Sequence, residues 1–335
     1  LGCSTGGQFH STEIEDDRNV GLAVGFDSAR CRLANVDVTA SGGSFLAGSM
    51  LGQSLVGPDL KAIFVLSEGL GVNGSELVAG LTHAVGKGVI LTGGLAGDGA
   101  KFEKTLIAAN APAQGNTIAA LGLYGASLEI GSGSAGGWDP FGPRRTITRA
   151  AGNVLYELDG KPALDLYERY LGEEEIAALP GSALLFPLMI RDPKSSDSDV
   201  VRTVLAVDRE LRSMTFAGDM PTGWSAELMR GNFDRLAEGA AQAAQQTLGK
   251  AEDDGLDDGF AVLVSCIGRR LLMGQHASDE IEAAAGAYPR KPAMIGFYSY
   301  GEISPHAKSG FCQLHNQTMT VLRVRERCEV LRDAA

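Results

Sequence analysis

A chain of 335 residues, 44% hydrophobic and 21% charged, has the composition of a folded globular protein and the length of two domains or one large duplicated one. Its formal net charge of −12 argues against nucleic acid and anionic membrane partners, which require a basic face, and no apolar run reaches the roughly 20 residues of a membrane-spanning helix. Cys3, Cys31, Cys266, Cys312 and Cys328 are widely spaced with no Cys-x-x-Cys, a pattern of free thiols in a reducing, cytoplasmic setting rather than of a disulfide framework or zinc site.

The chain opens with Gly2-Cys-Ser-Thr-Gly-Gly-Gln8, the end of a strand running into a glycine turn, followed by an acidic link and an alternating strand from Val20 to Phe26. Ile63 to Leu66 reads as a strand, Gly74-Ser-Glu76 starts a helix reaching about Val85, and Gly88 to Thr92 is a strand entering the turn Gly93-Gly-Leu-Ala-Gly-Asp-Gly99. Leu106 to Asn110 and Thr117 to Leu123 complete this unit.

Different material follows. Gly136 to Pro143 is a loop rich in Gly and Pro that holds Trp138 and Phe141, and Arg145–Arg149 with Val154–Leu158 reads as a hairpin. A helix from Pro162 places Leu164, Tyr167, Tyr170 and Leu171 on one face, with a short helix at Glu173 to Leu179. Ala183–Ile190, Val200–Val207 and Ser213–Phe216 read as strands, with a polar loop at Asp192 to Asp199. An Ala-rich helix spans about Asn232 to Leu248, and acidic residues 252–258 form a linker.

The pattern then returns. Phe260 to Ser265 is a strand, Ser278-Asp-Glu280 opens a helix to about Gly286, and Ala293 to Phe297 leads into the turn Tyr298-Ser-Tyr-Gly-Glu302 before Gln313 to Asn316 and Thr318 to Val324. The expected fold is therefore α/β, built from duplicated mixed-sheet units at 60–125 and 259–325, with half a copy at the front and an inserted α+β segment at 136–250. On this reading the chain starts inside its first unit, and a further strand and helix precede Leu1.

Gly-Cys-Ser-Thr-Gly-Gly at 2–7, Val72-Asn-Gly-Ser75, Gly93 to Asp98, Gly137-Trp-Asp-Pro-Phe-Gly142, Asn153 to Gly160, Cys266-Ile-Gly-Arg269, Tyr300-Gly-Glu-Ile303 and Leu314-His-Asn-Gln-Thr318 together resemble the FIST family. The resemblance spans nearly the whole chain and implies an N-terminal FIST domain at 1–135 and a C-terminal one at 136–335. It implies a sensory domain that recognises small molecules such as amino acids and works with a histidine kinase, a chemoreceptor or a cyclic-nucleotide enzyme. Some relatives are haem-dependent nitric oxide sensors, so haem is the alternative cofactor; otherwise none is implied.

For an amino-acid-like ligand, Arg269 and Glu302 supply opposite charges at two equivalent strand ends. Ser4, Thr5, Gly94 and Asp98 come from the related turns, Tyr298 forms a wall, and His315 and Asn316 lie on the returning strand. The pocket is expected between the two units. In the haem alternative His315 is the axial ligand, with His306 second. No Gly-x-Ser-x-Gly, His-Glu-x-x-His or Walker sequence is present, so no enzymatic activity is expected. A non-catalytic scaffold, with Trp138 and Phe141 as a contact patch, is the remaining alternative.

Overall fold

The computed structural model describes residues 1–195, 199–249, 259–307 and 309–327. The acidic linker 252–258, part of the 192–199 loop and Cys328 lie outside the described residues.

A hairpin of β1 (Gln8–His10) and β2 (Glu13–Glu15) opens the fold. The first unit runs β3 (Arg30–Asp37), α1 (Ser44–Leu55), β4 (Leu60–Ser67), α2 (Gly74–Val85), β5 (Ile90–Leu95) and β6 (Thr117–Tyr124). The second runs β7 (Leu128–Ala135), α3 (Phe233–Gln246), β8 (Phe260–Cys266), α4 (Ile267–Met273), α5 (Ala277–Gly286) and β9 (Ala293–Ser299). It is completed, after a hairpin of β10 (Gly301–Pro305) and β11 (Cys312–His315), by β12 (Met319–Glu326).

Two six-stranded sheets result, ordered β11-β10-β5-β4-β6-β3 and β2-β1-β9-β8-β12-β7. Each has one parallel pair at its centre, β4 with β5 and β8 with β9, because a crossover helix joins those strands. The hairpins are exchanged between sheets. β10 follows β9 in sequence yet pairs with β5, while β9 takes β1 as its outer neighbour.

The run Ala62-Ile-Phe-Val-Leu66 is apolar on both faces, as a strand buried on both sides must be. Ile63 and Val65 join the core under α1 and α2, whereas Leu66, with Ala119 and Phe64 beside it, meets Val264 and Phe297 of the second sheet. α3 and α5 cover the far face of that sheet around Leu263 and Val321, giving four layers: helices, sheet, sheet, helices. Asn73 caps α2, its side chain accepting from Ser75 N at 3.0 Å and Glu76 N at 3.1 Å. α1 and α2 touch backbone to backbone, since a methyl at Gly80 would stand 2.0 Å from Phe45 O.

Residues 138–231 form a separate nine-stranded sheet with its own core of Ile147, Leu155, Tyr167, Leu188, Phe216 and Leu228. The hairpin at Arg145–Ala151 and Val154–Leu158 is present, as are helices at Ala163–Tyr170 and Glu173–Ala177. Three expectations are corrected here. Val20 to Phe26 forms no strand, because no neighbouring backbone is in ladder register with it. Residues 183–190 divide into a 3-10 turn at Gly181–Leu185 and a strand at Leu188–Arg191. Val200 to Val207 breaks at Thr203, and its halves lie at opposite ends of the nine-stranded sheet. No helix of the described residues is long and apolar enough to cross a membrane.

Candidate functional site

Glu302 and Gly94 come together where the two sheets meet, in the interior, while Arg269 is held among α3, α4 and α5. Glu302 lies directly across the ladder from Gly94. Its carboxylate accepts from Ser299 Oγ at 2.7 Å and from Thr318 Oγ1 at 2.9 Å. Burial pushes the Glu302 carboxyl up to about 8 against these hydrogen bonds. Gly94 is closely covered, since a methyl there would stand 2.7 Å from Val264 Cγ1.

Arg269 is fully buried, with Nε donating to Glu280 Oε2 at 2.8 Å, Nη2 to Leu236 O at 2.8 Å, and Nη1 to Gly136 O. The second Glu280 oxygen takes Ser265 Oγ at 2.9 Å. The guanidinium therefore ties α4 to α5, to α3 and to the loop after β7, and its donors are occupied by the protein.

The turn residues serve similar ends. Asp98 accepts from Phe102 N at 2.9 Å, from Glu103 N and Lys104 N at 2.8 Å each, and from the Tyr300 hydroxyl. Burial works to raise the Asp98 carboxyl, but Lys104 N–H, the Tyr300 hydroxyl and the other backbone donors outweigh it and hold it below the usual carboxylate range. Ser4 Oγ accepts from Leu106 N at 2.9 Å, and Thr5 Oγ1 donates to Gln8 Oε1 at 2.6 Å. The buried Tyr298 ring sits edge-on to Phe9 at 5.6 Å with the Arg270 guanidinium 5.1 Å from its centre. Trp138 is buried and donates to Gln317 O at 2.7 Å, and Phe141 packs against Tyr170 and Phe186, so neither forms an exposed contact patch.

His315 is buried, with Nε2 3.0 Å from Ser304 O and its ring parallel to His306 at 6.1 Å. Burial drives its pKa down to about 3, leaving the imidazole neutral. A cavity of about 180 Å³ adjoins both rings, with Trp138, Met189 and Thr318 in its walls. As arranged, these residues do not fit a haem: Nε2 is engaged by a carbonyl, and the space falls below the roughly 300 Å³ at which sites for drug-sized ligands begin. Asn316 is fully buried, and neither of its amide atoms has a partner among the described residues.

A larger cavity lies elsewhere. Between the two sheets, on the side where β5 and β7 do not reach, is a groove of about 450 Å³. Its walls are Phe64, Leu66 and Leu121 from the first sheet and Val262, Ile295 and Phe297 from the second, with Leu22 and Val24 of the extended 20–26 segment along its mouth. Thr5 and Gln8 are its uncharged polar groups, and Cys3 and Cys31 present thiols. Burial pushes the Cys3 thiol up to about 12 and also raises Cys31, so both stay protonated and neither is an activated nucleophile. Of the residues expected to bind ligand, Thr5 alone lines this groove. The alternation of Phe64 and Leu66 against Ile63 and Val65 carried a signal for it, but apolar residues on both faces of a strand do not reveal which face is open.

Comparison with known proteins places this geometry. The FIST N domain matches residues 1–161 and the FIST C domain residues 163–305, so the nine-stranded sheet spans the junction of the two. No curated protein matches the chain. With two matches that together cover nearly all of its length, the chain belongs to the FIST family, a family associated with sensory roles in signal transduction.

Proposed function

We propose that this chain is a sensory domain that binds a small, predominantly apolar molecule in the groove between its two sheets and acts through a separate signalling protein. The carrying observation is the groove itself. Its volume of about 450 Å³ falls in the roughly 300–1,000 Å³ range of small-molecule sites, and it lies where two related units face each other. Occupancy there would alter how the units pack, and a bound state that differs in packing is what a sensor must offer a partner.

The lining favours an apolar ligand over a free amino acid. A zwitterion needs a cation and an anion facing the site, and Arg269 and Glu302 face other protein groups instead. The raised thiols and the absence of a nucleophile–base pair in the groove support a non-catalytic role. A histidine kinase, a chemoreceptor or a cyclic-nucleotide enzyme in the cytoplasm is the class of partner that fits such a domain.

Native mass spectrometry of the purified chain tests the reading. An added mass that survives desalting and is released by organic solvent supports it. A chain of bare mass that also gains no thermal stability with any apolar probe, such as octan-1-ol, overturns it.

A further inference from the structure

We propose that His10, Glu13 and Glu15 form a divalent transition-metal site at the edge of the groove, and that the metal receives the oxyanion head of an otherwise apolar ligand. The second half rests on the groove reading above; the metal site does not.

The three residues lie on one face of the β1–β2 hairpin. His10 stands opposite Glu13, and Glu15 stands opposite Gln8, so period-two alternation puts all four side chains on the same side. Their neighbours across β9 identify that side. Gln8 pairs with Phe297 and His10 with Ile295, and both of those apolar residues line the groove. Phe9 points the other way, fully buried against Tyr298. The trio therefore sits one strand beyond the groove wall, on the groove-facing surface of the sheet.

One donor atom from each of His10, Glu13 and Glu15 lies within 4.8 Å of the others. A zinc ion holds nitrogen and oxygen donors at about 2.0–2.2 Å, which sets tetrahedral donors about 3.4 Å apart. Rotation of the exposed His10 and Glu13 side chains and of the half-buried Glu15 would close that gap, while ladders to β2 and β9 hold β1 in place.

The present partners are weak: His10 Nε2 is 3.9 Å from Glu13, and Arg18, itself 80% exposed, is 3.9 Å from Glu15. One imidazole with two carboxylates suits zinc, manganese or cobalt better than calcium or magnesium, which prefer all-oxygen shells. Three protein donors leave coordination positions open, and a carboxylate at the end of an apolar chain lying in the groove would take one.

Isothermal titration of the full chain with Zn²⁺ and then with octanoate or octan-1-ol tests both halves. The expected result is one equivalent of Zn²⁺, weakened at least about tenfold by His10→Ala and by Glu15→Gln, with melting temperatures in EDTA equal to that of the parent. Zn²⁺ should then tighten octanoate by about tenfold and leave octan-1-ol unchanged. Absence of Zn²⁺ binding, or binding that both substitutions leave intact, overturns the metal site. Zn²⁺ binding with equal effects on the acid and the alcohol overturns the head-group role. If neither probe binds with or without Zn²⁺, the groove reading falls, and the Zn²⁺ isotherms of parent and variants still decide the metal site.

Discussion

Glu302 of β10 pairs across the ladder with Gly94 of β5, so a strand of the second unit joins the sheet of the first. This exchange of hairpins buries a carboxylate at the junction of both halves, where Ser299 and Thr318 donate hydrogen bonds to it.

That placement makes stability depend on pH. The folded Glu302 carboxyl is raised to about 8, above its ordinary value, so the folded state holds its proton more tightly than the unfolded chain. The contribution is fully present below the unfolded carboxyl's titration and is lost as pH rises through about 8. The melting temperature of the parent should fall between pH 5 and pH 9, and Glu302→Gln should flatten that part of the curve. A parallel decline in the variant would remove Glu302 from the explanation.

Arg269 and Glu280 form a fully buried pair. Removing either partner strands a charge away from water, which costs about 3–5 kcal/mol. In urea unfolding, Arg269→Met and Glu280→Leu should each lose that much, and the double variant carrying both should lose less than the sum. Full additivity would show that the two act independently.

Gly80 lets α2 lie against α1. Gly80→Ala introduces a methyl 2.0 Å from Phe45 O and should destabilise the chain by about 1–3 kcal/mol. Gly86→Ala lies on no such contact, with nothing within 4 Å, but has positive φ; it should cost less, through backbone strain alone. Equal losses in a denaturation series would contradict the helix contact.

Asn316 buries an amide with no partner among the described residues. Replacement by Leu, close to it in volume, removes two unpaired polar atoms and should raise stability by about 1–2 kcal/mol. A loss of stability would mean that the amide is satisfied by water or ligand, and would return Asn316 to the list of binding residues.

Much of the scaffold was legible. The apolar run at β4 and the helix start at Gly74-Ser-Glu76 state their structure locally, whereas Gly93, Gly94 and Leu95, expected in a turn, continue β5, and Gly301 and Glu302 begin β10, because each pairs with the other's backbone. α1 was not expected from the sequence; it carries Gly48 and Gly52, which lower helix propensity but are the residues that admit α2. Val20 to Phe26 has a strand's alternation but no partner, and pairing is a long-range fact. The meeting of Glu302 with Gly94 could be inferred from equivalent strand ends. Whether the Arg269 guanidinium faced a ligand or Gly136 O and Leu236 O could not, since those carbonyls are supplied by distant segments. The groove is assembled from Cys31, Leu121, Val262 and Ile295, and no local pattern joins them.

Calorimetric titration of octan-1-ol into the parent and into Val262→Trp, whose indole would fill the space between β8 and β4, addresses the groove most directly. One saturable equivalent in the parent, abolished in the variant at an unchanged or higher melting temperature, is the predicted result. Equal binding by both proteins would place the ligand elsewhere and contradict the account.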